Sequence, residues 1–279
     1  MIQRIIWGVS GAILLFGLIW FGQIYYTLAI GILVTLAILE YAELLKKQGF
    51  RPQTEVMLFI SLALLVLIHV AASRYGSHPV ESLRICEQIL TFGLIVGFII
   101  NFLIELLRGE PENGLANAAV NLFGTVYIGF MFAYILLLRF IPGPDGLLFT
   151  LFTVLVTWAN DTAAYFVGIN FGKHKLSPRI SPKKSVEGSL GGLLGGILVA
   201  VVIALICKRS PLQLAIIGIL VVLAGQFGDL IESIIKRNAG VKDSGSFMPG
   251  HGGVLDRFDS LLIAAPVVYY TVIYIMPYL

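Results

Sequence analysis

Apolar residues along this chain come in long blocks separated by short polar ones. Nine blocks run over residues 4–22, 25–45, 56–73, 85–107, 117–139, 147–170, 190–207, 212–235 and 259–277. A hydrocarbon core takes roughly 20 apolar residues of α-helix to cross, and several blocks meet that length. The pattern predicts an all-α fold: a polytopic integral membrane protein with about nine transmembrane helices. Ile141-Pro142-Gly143-Pro144-Asp145-Gly146 is a turn signal between the fifth and sixth blocks. No polar stretch is long enough for a soluble domain, so any chemistry sits on helices and short loops. The expected division is residues 1–145, carrying helices 1–5, and residues 146–279, carrying catalytic helices 6–9 with their loops.

Composition sharpens this reading. The chain is 58% hydrophobic and 13% charged, about half the charged share usual in soluble domains. A net charge of +3 is too small to imply a nucleic-acid partner; the expected surroundings are the lipid bilayer. The distribution of charge says more. With the N-terminus and the even-numbered loops on one side, that side holds fourteen of the 19 Lys and Arg residues. Positive loops stay inside, so the expected topology is a cell-membrane protein with a cytoplasmic N-terminus and an external C-terminus. The first block follows Arg4 and lacks a small-residue cleavage pattern, so it reads as a retained helix. Cys86 and Cys207 have no ligand spacing and read as two membrane-buried thiols. Gly188, Gly192 and Gly196, like Gly191 and Gly195, are four apart. That spacing suits close helix packing within the chain or, alternatively, a homodimer interface.

Charged residues inside apolar blocks carry the candidate chemistry, because burying one costs at least a few kcal/mol. Glu40 and Glu105 lie near block ends and read as solvated. Asn160-Asp161-Thr162 interrupts an apolar run and suggests a wet pocket. Asp229, Glu232, Ser233 and Lys236 fall at i, i+3, i+4 and i+7, one helical face. It reads as a functional stripe or as a salt-bridge ladder. A glycine-rich polar loop follows, through Lys242, Asp243, His251, Gly252 and Gly253, to Asp256, Arg257 and Asp259. Glycines there let backbone N–H groups approach phosphate closely. Asp256 and Asp259 share a face, and carboxylates from two helices, Asp229 and Asp256, are placed to converge. Hard oxygen donors of this kind suit Mg²⁺. Between Gly172 and Gly188, Ser181, Lys183, Lys184, Ser185 and Glu187 lie in a proline-fixed basic loop, read as an anion site rather than a topology signal alone.

The stretch from Ser233 to Asp259 resembles the defining motif of the phosphatidate cytidylyltransferases, or CDP-diacylglycerol synthases. Ser233, Lys236, Arg237, Lys242, Asp243, Gly245, Pro249, His251, Gly252, Gly253, Asp256, Arg257 and Asp259 match it. Met248 stands where Leu, Ile or Phe is usual. Asn160-Asp161 and Ser181 to Gly188 also resemble that family, and the likeness is strongest from about residue 150 onward. The resemblance implies that CTP and phosphatidate give CDP-diacylglycerol and pyrophosphate at the cytoplasmic face, with Mg²⁺. By resemblance Asp229 and Asp256 are the metal ligands, the same pair the residues themselves suggested. Lys183, Lys184, Lys236, Arg237, Lys242 and Arg257 form the expected cationic set, with Asp161 and Asp259 as candidates for supporting the ion or holding a second cation. Asp243 and His251 join the catalytic candidates. Asn160, Ser181, Ser185, Glu187, Ser233, Gly252 and Gly253 are the expected substrate contacts. Two other readings remain: a CTP-dependent lipid-alcohol kinase, and a transporter of an anionic solute.

Overall fold

In this computed structural model, residues 2–76, 78–110, 112–245 and 252–276 are described. Nine helical spans follow one another there: α1 (Ile2–Phe21), α2 (Gln23–Lys47), α3 (Thr54–Tyr75), α4 (Pro79–Arg108), α5 (Gly114–Arg139), α6 (Asp145–Phe171), α7 (Val186–Ile206), α8 (Pro211–Asn238) and α9 (Leu255–Ile275). Eight of them, α2 to α9, are long and apolar enough to cross a membrane. The protein is therefore an all-α, multi-pass membrane protein, as the block pattern predicts.

The loops sort to two ends. Gln53, in the α2–α3 turn, bonds Glu105 near the end of α4, and the backbone of Arg51 bonds Asn117 at the start of α5. At the opposite end, the Arg139 guanidinium donates to the carbonyl of Ile19 at the close of α1, and Arg209 pairs with Asp145. Helix α5 is the innermost: 67% of its apolar window is buried, against 17% for α4. It packs against α9 through Phe132 and Phe258, whose rings are 5.4 Å apart. Residues Thr125–Phe130 of α5 form a π-helical turn, a local widening that recurs at functional sites.

Lipid is as apolar as leucine, so membrane helices associate through close packing rather than a hydrophobic drive. The glycine stripe of α7 serves this purpose. A Cβ on Gly188 would stand 2.9 Å from the carbonyl of Ala164, and one on Gly192 2.9 Å from that of Asn160. Gly195 meets Ala163 and Gly191 meets Val167 in the same way. All these neighbours lie on α6, so of the two uses expected for the stripe, the structure shows packing inside one chain. Gly225 faces Ser260, and Gly228 approaches the carbonyl of Asp259, which draws α8 against α9. Cys86 is buried among the helices, and Cys207, at the end of α7, lies on the outside of the bundle. The basic loop contains a two-stranded antiparallel hairpin, β1 (Lys175–Ser177) with β2 (Ser181–Ser185), which the apolar pattern did not predict.

Candidate active site

The candidate residues are placed by four helices, α6 to α9, at one end of the bundle. Asp229 and Glu232 come from α8 and Asp259 from α9. One carboxylate oxygen from each lies within 4.8 Å of the others. Glu232 is 1% exposed, and like charges so close and so dry repel unless cations compensate them. Two lysines do so directly. Lys184 pairs with Asp229. The Lys236 ammonium stands 2.5 Å from Glu232 and 2.6 Å from Asp256. The stripe read from the sequence is thus both an ionic ladder and the wall of a site.

The expected metal pair was Asp229 with Asp256, yet the structure groups Asp229 with Glu232 and Asp259. Asp256 is held one step away. Its Oδ1 accepts from Lys236, and its Oδ2 accepts from the backbone N–H of Ser244 and Gly253, each at 2.8 Å, and from the Ser244 hydroxyl at 2.9 Å. The physical reason is the loop that precedes α9: the Ser244 and Gly253 N–H groups, which no helix satisfies, and the Lys236 ammonium already occupy the Asp256 oxygens. The glycines approach carboxylates too. Gly252 has φ +82°, and a Cβ there would stand 2.6 Å from Asp256 Oδ2. His251 lies outside the described residues.

Beside the acidic group opens a cavity of about 640 Å³, within the range of a small-molecule site. Asn160, Asp161, Gln226, Ser189 and Asp229 supply polar walls, Lys175, Lys183 and Lys184 a basic one, and Tyr165 and Ile169 an apolar side. Asn160 is buried; its amide donates to Asp161 Oδ1 at 2.9 Å and its oxygen accepts from Gln226 at 2.9 Å. Gln226 and Ser189, bonded to each other, were not among the sequence candidates. Gln226 lies three residues before Asp229, on the face of the acidic stripe, and that spacing was the available signal.

Other expected contacts are occupied by the protein. Ser185 lines the cavity, and its hydroxyl accepts from the backbone N–H of Gly188 at 3.1 Å, capping α7. The Glu187 carboxylate accepts from the backbone N–H of Lys173 at 3.1 Å and of His174 at 3.2 Å, and so holds the hairpin. The Arg237 guanidinium donates to the carbonyls of Ile180 and Val241, joining hairpin to loop. Ser181 opens β2 outside the cavity lining, and Ser233 is buried on α8. Lys242, Asp243 and Arg257 are exposed. The expectation that Glu40 and Glu105 are solvated is corrected. Glu40 accepts from the backbone N–H of Val254 and Leu255. Glu105 accepts from Gln53 and Asn117 and pairs with Arg108. The Tyr127 hydroxyl, on the π-helical turn of α5, is buried and has no hydrogen-bond partner among the described residues.

Residues 2–275 match the model of the cytidylyltransferase family. A protein of Synechocystis sp. named phosphatidate cytidylyltransferase is 34% identical, with 99% of this chain and 98% of that one covered. One of the same name from Bacillus subtilis is 33% identical over 96% of each. A motif-bearing site, a family match over almost the full length and near-complete coverage of these relatives agree: the chain belongs to the cytidylyltransferase family, that of the phosphatidate cytidylyltransferases.

Proposed function

We propose that this protein transfers the cytidylyl group of CTP to phosphatidate, giving CDP-diacylglycerol and pyrophosphate at the cytoplasmic face of the cell membrane. The observation that carries the reading is the pairing of a multi-carboxylate group with a basic, partly apolar cavity on one set of helices. Residues 146–279 supply that chemistry, and residues 1–145 support it.

The donor set suits a divalent ion. Three carboxylates are hard oxygen ligands, and their mutual reach within 4.8 Å is compatible with the roughly 3–4 Å separations of an octahedral Mg²⁺ shell. Asp229 and Asp259 would hold the ion. Asp256, one turn from Asp259 and paired with Lys236, would support them. When bound, the ion supplies charge neutralisation on the CTP phosphates and the leaving pyrophosphate. A second cation beside Asp161 is part of the same reading.

The chain's own residues do the rest. A phosphatidate oxygen attacks the α-phosphorus of CTP, the α–β phosphoanhydride bond breaks, and pyrophosphate leaves with that electron pair. The nucleophile is already anionic, so no strong base is needed. The obstacle is the meeting of two polyanions. Lys183 and Lys184 in the cavity lining offset their charge, and the hairpin held by Glu187 and Arg237 keeps those lysines aimed. The Tyr165 and Ile169 side of the cavity suits acyl chains, which stay in the bilayer at about 0.8 kcal/mol per buried CH₂. The cytoplasmic placement rests on the basic loops gathered at this end.

Product identification tests the reading. Purified protein is incubated with phosphatidate and CTP labelled at the α- or γ-phosphate. Label from α should enter the lipid and label from γ should leave as pyrophosphate. Lipid carrying the γ label, with CDP released, would instead mean a kinase; solute flux in liposomes without any lipid labelling would mean a transporter.

A further inference from the structure

Glu40 lies on α2, in the half of the chain expected only to support the site, yet among the described residues its carboxylate accepts hydrogen bonds from the two flanks of the glycine-rich loop. Oε1 accepts from the backbone N–H of Val254 at 2.8 Å, and Oε2 accepts from that of Leu255 at 3.1 Å and from the Ser244 hydroxyl at 3.0 Å. The loop is shaped to admit it. A Cβ on Gly245 would stand 2.6 Å from Oε1, and one on Gly253 would collide with Oε2.

Two physical facts give this contact weight. The first N–H groups of α9 have no helical acceptor, and the helix dipole concentrates positive potential there. A carboxylate in that position both satisfies them and is stabilised by them. The Ser244 hydroxyl, moreover, lies 3.0 Å from Glu40 Oε2 and 2.9 Å from Asp256 Oδ2, and its backbone N–H donates to the same Asp256 oxygen. Both flanks of the loop, Ser244 before it and Val254 after it, are therefore tied to one side chain from a distant helix. Glu40 is not in the acidic group itself.

We infer that Glu40 is a positioning residue for cytidylyl transfer: by clamping Ser244 and the first turn of α9, it sets where the Asp256 and Asp259 carboxylates stand. The inference rests on the reading of the acidic group as the transfer site. Glu105 is the natural control, because its carboxylate accepts from Gln53 and Asn117, neither of which belongs to the loop.

The test compares full-length Glu40→Gln, Ser244→Ala, their double variant and Glu105→Gln in detergent. Glutamine keeps the shape but turns one acceptor into a donor that opposes the α9 N–H groups. Glu40→Gln should lower kcat by about tenfold or more, with KM for CTP changed less than about threefold. Amide hydrogen exchange at residues 252–256 should quicken, and the double variant should lose less than the product of the single losses. Glu105→Gln should lower the melting temperature while leaving loop exchange unchanged. Wild-type kcat and loop exchange in Glu40→Gln would overturn the inference, as would equal loop exchange in the two glutamine variants. If Glu40→Gln does not fold, Ser244→Ala decides: slowed turnover with faster exchange at 252–256 supports it, and wild-type values overturn it. Failure of the wild-type protein to make CDP-diacylglycerol would sink the transfer reading instead, and the exchange measurement, which needs no substrate, would still judge the clamp.

Discussion

Asp229→Asn is expected to lower CTP-dependent lipid labelling by about a thousandfold. Asparagine preserves size and one oxygen but removes the charge at the point where the site's elements meet. Asp229 pairs with Lys184 from the basic hairpin, lines the cavity, and stands in the acidic group with Glu232 and Asp259. The substitution therefore takes away a proposed ion ligand and the partner of Lys184. Raising the divalent-ion concentration should recover only a small part of the rate. Initial rates measured over a range of Mg²⁺ concentrations check this; a variant with wild-type kcat at any Mg²⁺ concentration would show that the carboxylate is not required.

The second large effect is on stability. Lys236→Met should destabilise the protein by about 3–5 kcal/mol, because it removes one partner of a buried ionic group and leaves the others uncompensated. The side chain of Glu232 is 1% exposed and that of Asp256 7%, so water cannot replace the ammonium. The sign of the metal effect follows from the same charges. Without the ammonium, the carboxylates should bind Mg²⁺ with greater benefit to folding, so added Mg²⁺ should raise the melting temperature of Lys236→Met more than that of the wild type. Thermal unfolding in detergent with and without Mg²⁺ measures both quantities. An unchanged melting temperature would mean that Glu232 and Asp256 do not depend on Lys236.

These effects also explain which features were legible in the sequence. Block length specified the helices closely: 147–170 became Asp145–Phe171, and 212–235 became Pro211–Asn238. Helical spacing correctly put Asp229, Glu232 and Lys236 on one face of α8. The glycine spacing was equally readable as packing, though which partner it packed against was not. The hairpin escaped notice because its strands are three and five residues long and polar, with no apolar alternation to reveal them. Glu40 escaped for a different reason. A lone acid near a helix end reads as solvated, and its partners Ser244, Val254 and Leu255 lie 204 to 215 residues away in sequence. Gln226 carries no charge, so it does not stand out in an apolar run as Asp229 does. Periodicity placed Asp256 and Asp259 on one face but could not reveal that Lys236, Ser244 and Gly253 occupy the Asp256 oxygens. Which protein donors occupy the Asp256 oxygens is a property of the folded loop, and periodicity does not carry it.

The most direct test of the account is Mn²⁺ binding followed by electron paramagnetic resonance on the purified protein without nucleotide or lipid. The wild type should bind Mn²⁺ in competition with Mg²⁺, and Asp229→Asn and Asp259→Asn should each lose that binding while remaining folded. Equal Mn²⁺ affinity in the wild type and both variants would contradict the claim that these carboxylates hold the ion.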